Sequence, residues 1–179
     1  MPDLIIPAPL WRRFAASIYD GLLLVGLWMA TLLLSLPVQH ALGLPAGSPW
    51  LRVTVFLVGL VFFAWFWTRG GQTLGMRAWK LQVRRGDGTA LRWPVAMVRY
   101  LTMMIFWGLV LTPLAVAIIS RLPSLAAVLP HAAGVAAAAT AAVLIFIALS
   151  WADRSRRLPH DWASGTEVVQ LPRNPSPPA

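Results

Sequence analysis

The chain contains no cysteine, which excludes disulfides, thiolate metal sites and cysteine nucleophiles. Acidic side chains are scarce too, six Asp and Glu against fifteen Lys and Arg. Charged residues make up only 12% of the chain, where a soluble domain carries about 25%. Histidine occurs three times, as His40, His131 and His160, too scattered in sequence to suggest a metal cluster. No nucleophile–base pair, His/Glu zinc pattern or carboxylate pair lies in the apolar segments, so neither an enzyme nor a cofactor is expected.

What remains is apolar. Hydrophobic residues make up 58% of the 179, and mean hydropathy is +0.68. Four long runs account for this, at about 14–36, 51–68, 95–120 and 125–151. The expected class is an all-α membrane protein, a four-helix transmembrane bundle with a small β-hairpin or loop element outside the bilayer. Residues 1–10 are proline-rich and read as a flexible terminus, 11–170 as the membrane domain, and 171–179 as a disordered tail. Arg12-Arg13 before an apolar run invites a signal-peptide reading. The run is longer than a signal core and holds Asp20, so an uncleaved span is expected.

The net charge of +9 would suit nucleic acid, but no recognition motif accompanies it and no nucleic-acid partner is expected. Thirteen of the fifteen basic residues fall before span one, between spans two and three, at the start of span three, or after span four. Only Arg52 and Arg121 fall on the other side. The positive-inside rule then places both termini and the central loop in the cytoplasm. Trp11, Trp50, Trp65, Trp67, Trp93 and Trp151 lie near span ends, as headgroup-level tryptophans do, whereas Trp28 and Trp107 read as packing residues. Gly134 and Ala138 form a small-xxx-small pair, read first as packing within the chain, with a homodimer face as the alternative.

Two polar stretches stand out. In "GGQTLGMRAWKLQVRRGDGTALRW" the glycines of the Gly71, Thr73, Gly75 motif read as tight turns at the membrane surface, since no phosphate-loop pattern is present. Asp87-Gly88 between two short runs predicts a hairpin near 80–93, and 166–171 has the character of a third strand added to its edge. In "LPHDWASGTEVV" the His160-Asp161 pair could be an acid/base pair. The simpler reading is that Asp161 caps a short turn closed by Gly165.

Asp20 is the one acidic residue inside a predicted span. A carboxylate costs about 2.5–3.5 kcal/mol at the centre of a membrane helix on insertion scales, so it faces protein or water and marks a function. Arg13 and Asp20 are seven residues apart, about 1.9 helical turns, and share a face. Asp20 is expected either as an anchor bonded to the loop or to an arginine of another helix, Arg99 foremost, or as a proton or cation site, or as a plain polar contact.

Together, "RRFAASIYD", "GGQTLGMRAWKLQV" followed by Asp-Gly and Arg99, and "LPHDWASGTEVV" resemble the RDD family of small polytopic bacterial-type membrane proteins. The resemblance covers roughly residues 11–170 and implies that Arg13, Asp20, Arg99 and Asp161 belong together as a charge cluster. It further implies an inner (plasma) membrane protein that transports a small ion or solute, with cation/proton exchange the suggested form. Four helices are few for a pathway, so an oligomer is expected. The alternative is a non-enzymatic scaffold or accessory subunit that binds other membrane proteins or the anionic headgroups of the lipid bilayer.

Overall fold

The structure is a computed structural model that describes residues 6–45, 48–121 and 131–172. Its first long helix, α1 (Leu10–Ala41), is rich in Leu, Val and Ala and runs through Pro37. At about 1.5 Å per residue its 32 residues span roughly 48 Å, more than the ~30 Å apolar layer of a bilayer. Helix α2 (Pro49–Gly70) starts on a proline, where the missing N–H is not needed. It stops at Gly71, whose left-handed φ of 64° closes the helix through an N–H bond to the Trp67 carbonyl. After α3 (Leu74–Ala78), helix α4 (Trp93–Ile119) again has proline in its first turn and continues through Pro113. Helix α5 (Ala132–Ala152) precedes the short α6 (Pro159–Ser164). Four of these, α1, α2, α4 and α5, are long and apolar enough to cross a membrane. Residues 125–130 of the expected fourth span, most of the turn before it, and 173–179 of the tail lie outside the described residues.

Helix α4 is the central post. It packs against α2, α5 and α6, while α1 packs against α2 and α3. The core gathers at one end, where Ala16, Phe63, Trp67, Tyr100 and Met103 meet Leu81 and Val168 from a small sheet. Elsewhere the long helices turn leucines outward, such as Leu22, Leu33 and Leu34 on α1. Outward apolar side chains are what a helix in hydrocarbon should show, because lipid tails are as apolar as the helix.

The sheet comprises β1 (Ile6–Pro7), β2 (Leu81–Arg85) and β3 (Thr166–Gln170). Its order is β1-β3-β2, all antiparallel, with Leu81 opposite Gln170 and Arg85 opposite Thr166. Alternation sets the faces: Leu81 and Val83 of β2 and Thr166 and Val168 of β3 point inward. Pro7 sits on an edge strand, where a missing N–H is tolerated.

The expected hairpin at 80–93 is not formed. Asp87-Gly88 does make a tight turn, with Gly88 at φ 80° and its N–H on the Arg85 carbonyl. The chain then enters α4 within a few residues, and β3 takes the pairing edge of β2. The tail strand is therefore the middle of the sheet, and Ile6–Pro7 extends it on the far side. Two further readings are corrected. Trp67 is buried at 1% exposure, on the inner face of α2 one turn from Phe63, and does not lie at the headgroup level. Gly134 and Ala138 are exposed, with nothing within 4 Å of a Cβ built on Gly134, so this pair does not pack against the described residues.

Candidate functional site

The polar residues singled out in the sequence come to the sheet end of the bundle and form two constructions. The first centres on Asp161. Leu158 precedes a proline in extended conformation, which starts α6 and brings Asp161 to its third position. There the Asp161 carboxylate accepts the Leu158 N–H at 2.8 Å and caps the turn that Gly165, at φ 62°, closes. The same carboxylate is fully buried and bridges two helices, pairing with Arg13 of α1 through Oδ2 and Arg99 of α4 through Oδ1. Arg13 also donates to the Arg156 carbonyl, and Arg99 donates to the Thr166 hydroxyl. The Arg99 guanidinium lies 5.1 Å from the centroid of the Trp67 ring, which replaces part of its lost hydration.

Electrostatics follow from this enclosure. Burial alone would push the Asp161 carboxyl up. The Arg13 and Arg99 guanidiniums, helped by the Leu158 N–H, outweigh it and hold the group well below the usual carboxylate range. His160 packs against Phe106 and sits with Nε2 3.8 Å from Asp161. Burial, with Arg99 and Arg13 nearby, pushes its imidazole down to about 3 against the pull of Asp161, so it is neutral at pH 7.

The second construction holds Asp20, which is 3% exposed. Its partner is not Arg99, which belongs to Asp161. Thr73 donates its hydroxyl to one Asp20 oxygen, and the Gly75 N–H donates to the other at 2.8 Å. Thr73 also caps α3 by accepting the Met76 N–H at 3.2 Å. Gly75 is required by space, because a Cβ there would run into the Ala16 carbonyl and come within 2.9 Å of the Asp20 carboxyl carbon. Gly71 serves the same loop from outside: its carbonyl accepts the Val83 N–H at 2.7 Å, and a Cβ on it would meet the Val83 carbonyl at 2.5 Å. The three residues of the loop motif thus join α1 to the sheet.

The two constructions face each other across a cavity of about 30 Å³ lined by Arg13, Asp20, Trp67, Arg99 and His160, among others. That is room for one water-sized molecule. Three of these side chains each carry a buried nitrogen, Trp67 Nε1, Arg99 Nε and His160 Nδ1, with no hydrogen-bond partner among the described residues.

A family model, described as the RDD family, matches residues 7–165. The chain belongs to the RDD family. No curated protein and no solved structure matches it. In this RDD protein, then, Arg13, Arg99 and Asp161 meet in one ion cluster, and Asp20 lies beside that cluster, fastened to the loop. Sequence reasoning missed Trp67, Thr166 and the pairing of Thr73 and Gly75 with Asp20. The one signal available was a hydroxyl and a glycine two residues apart in a turn.

Proposed function

We propose that this protein moves a small ion across the bilayer in exchange for a proton carried on Asp20, and that it works as an oligomer. The observation that carries the reading is the contrast between the two aspartates. Asp161 is locked in its ionised state by two guanidiniums. Asp20 is held by a neutral hydroxyl and a neutral amide, so no fixed cation is bonded to it and its proton can come and go. It does so inside a membrane helix, on a small cavity that Arg13, Arg99 and His160 also line, where a carboxylate without a task is costly. A second, apolar groove of about 330 Å³ shares Ser17, Phe63 and Met103 with that cavity and opens between α1 and α4. Such a groove suits packing against a second copy.

We place the sheet end in the cytoplasm and the bundle in the inner membrane. The basic segments around Arg13, Arg84, Arg99 and Arg157 all belong to this end, which the positive-inside rule puts inside. The reading is non-enzymatic.

One observation favours a second reading, a scaffold or accessory subunit: both Asp20 oxygens are used to fasten a loop, as an anchor would use them. Purified protein in liposomes holding a pH-sensitive dye separates the two. Transport predicts that an imposed cation gradient shifts internal pH in the parent and leaves it unchanged in Asp20→Asn, while that variant still folds and inserts. A parent that moves no protons, beside an Asp20→Asn variant that fails to assemble, rejects transport and leaves the anchor.

A further inference from the structure

The cavity between the two constructions carries one more reading. On its lining are two nitrogens that can only donate, Trp67 Nε1 and Arg99 Nε, both buried without a hydrogen-bond partner among the described residues. The two residues are 1% and 2% exposed. They also touch, the Arg99 guanidinium lying 5.1 Å from the Trp67 ring centroid, so one acceptor can serve both. His160 Nδ1, buried and unpartnered on the same lining, is a third donor when the imidazole carries its proton there. A buried N–H left unpaired costs about 1–3 kcal/mol, so this group of donors requires an acceptor inside the cavity. With a volume of about 30 Å³, the cavity admits one water-sized species and no larger group.

Charge decides which acceptor. Among the described residues, the ionisable side chains on the lining are Arg13 and Asp20 from α1, Arg99 from α4 and His160 from α6, while α2, α3 and the sheet contribute none. Asp161 pairs with both arginines, and His160 is neutral. With Asp20 ionised, two cations meet two anions, and a water molecule suffices as the acceptor. With Asp20 protonated, one positive charge is left over in a buried site, where an uncompensated charge is strongly destabilising. A single monovalent anion cancels it, and N–H and O–H donors are the groups that bind such an anion.

We propose that this cavity binds one halide ion, chloride foremost, when Asp20 holds a proton, with Trp67 Nε1–H, Arg99 Nε–H and the Asp20 O–H as donors. The halide and the Asp20 charge exclude each other, so proton and anion are taken up together. Room for a single atom excludes phosphate and carboxylate ligands. The proposal rests on the reading that Asp20 changes charge, and it does not require that any ion cross the bilayer.

The test titrates the full chain in mild detergent with sodium chloride or bromide, in a gluconate background of constant ionic strength, and reads binding by calorimetry. At pH 5 the parent should bind about one halide per chain, saturably, and sulfate should not compete. The affinity should fall about tenfold per pH unit once Asp20 is mostly ionised. His160 stays neutral throughout pH 5 to 8, so that dependence belongs to Asp20. Asp20→Asn, uncharged at every pH, should bind halide equally at pH 5 and pH 8. Trp67→Phe keeps a ring against Arg99 and loses the N–H, and should weaken chloride about tenfold, the size of one hydrogen bond to a charged group. Trp79→Phe, which removes an indole N–H outside this cavity, should leave it unchanged. If Asp20→Asn does not fold, the pH series of the parent and the Trp67→Phe comparison decide alone. No saturable halide binding at pH 5, binding that does not weaken as pH rises, or undiminished binding in Trp67→Phe would overturn the proposal and leave the cavity to water. Proton exchange would survive that result, because the liposome assay reads flux. Absent flux with intact halide binding would reject transport alone.

Discussion

At the residue scale, the two buried aspartates are distinguished by what donates to them. Hydrogen bonds from charged donors are worth about 1.5–3 kcal/mol each, and an unpaired buried charge is far worse than an absent one. Asp161 takes two guanidiniums and a backbone N–H, so its charge is fixed. His160 beside it sets a measurable pH dependence. Its folded-state pKa, about 3, lies below the unfolded value of 6.5. The unfolded chain therefore takes up a proton that the native state refuses, and stability falls as pH drops from 6.5 toward 3, by about 1.4 kcal/mol per unit. Asp161 acts in the same direction in a lower window: its depressed pKa stabilises the native state above the unfolded value of 3.8, and that contribution is lost only below it. Between pH 4 and 6.5 the part of the slope that His160→Gln removes belongs to His160. Unfolding of the detergent-solubilised parent and variant across that window should differ by it. Parallel curves for the two over the same range would mean that the imidazole is charged or exposed.

Elements show where local sequence signals fail. The four apolar helices were legible, because length and hydropathy alone decide whether a helix can span hydrocarbon. The strand at 81–85 was legible from its alternation. Its partner was legible in part: 166–171 reads as a third strand on this sheet, but the strong local hairpin signal of Asp87-Gly88 assigns a first partner to the residues just after the turn, whereas the tail strand pairs with 81–85 as the middle of the sheet. Trp67 was misread for a related reason, since a tryptophan near a helix end looks alike whether it faces headgroups or stacks under Arg99. Helix α3 is short and depends on its docking onto α1 through Gly75. Adding one methyl there, Gly75→Ala, forces backbone apart and should destabilise by about 1–3 kcal/mol. Gly134→Ala, in open space on α5, should be neutral or stabilising, since alanine favours helix over glycine by about 0.8–1.0 kcal/mol. Thermal unfolding of the two variants side by side checks this, and equal effects would contradict the close approach at Gly75.

On the scale of the whole molecule, one end is polar, cross-linked and covered by a sheet, and the other is a set of apolar helices with outward leucines. The membership of Arg13, Asp20, Arg99 and Asp161 in one region was legible from their motifs. Their pairing was not, because helical spacing relates residues on the same element, and Arg13 and Asp161 are 148 positions apart. The division of partners, Asp161 with the arginines and Asp20 with the loop, ties the tail and the central loop to the helices and leaves Asp20 bonded to neutral donors. Double-mutant cycles measure it directly, pairing Asp20→Asn with Thr73→Val and, separately, with Arg99→Met. The account predicts a coupling of about 1–2 kcal/mol between Asp20 and Thr73, and a clearly smaller one between Asp20 and Arg99. A dominant Asp20–Arg99 coupling, with none to Thr73, would contradict it.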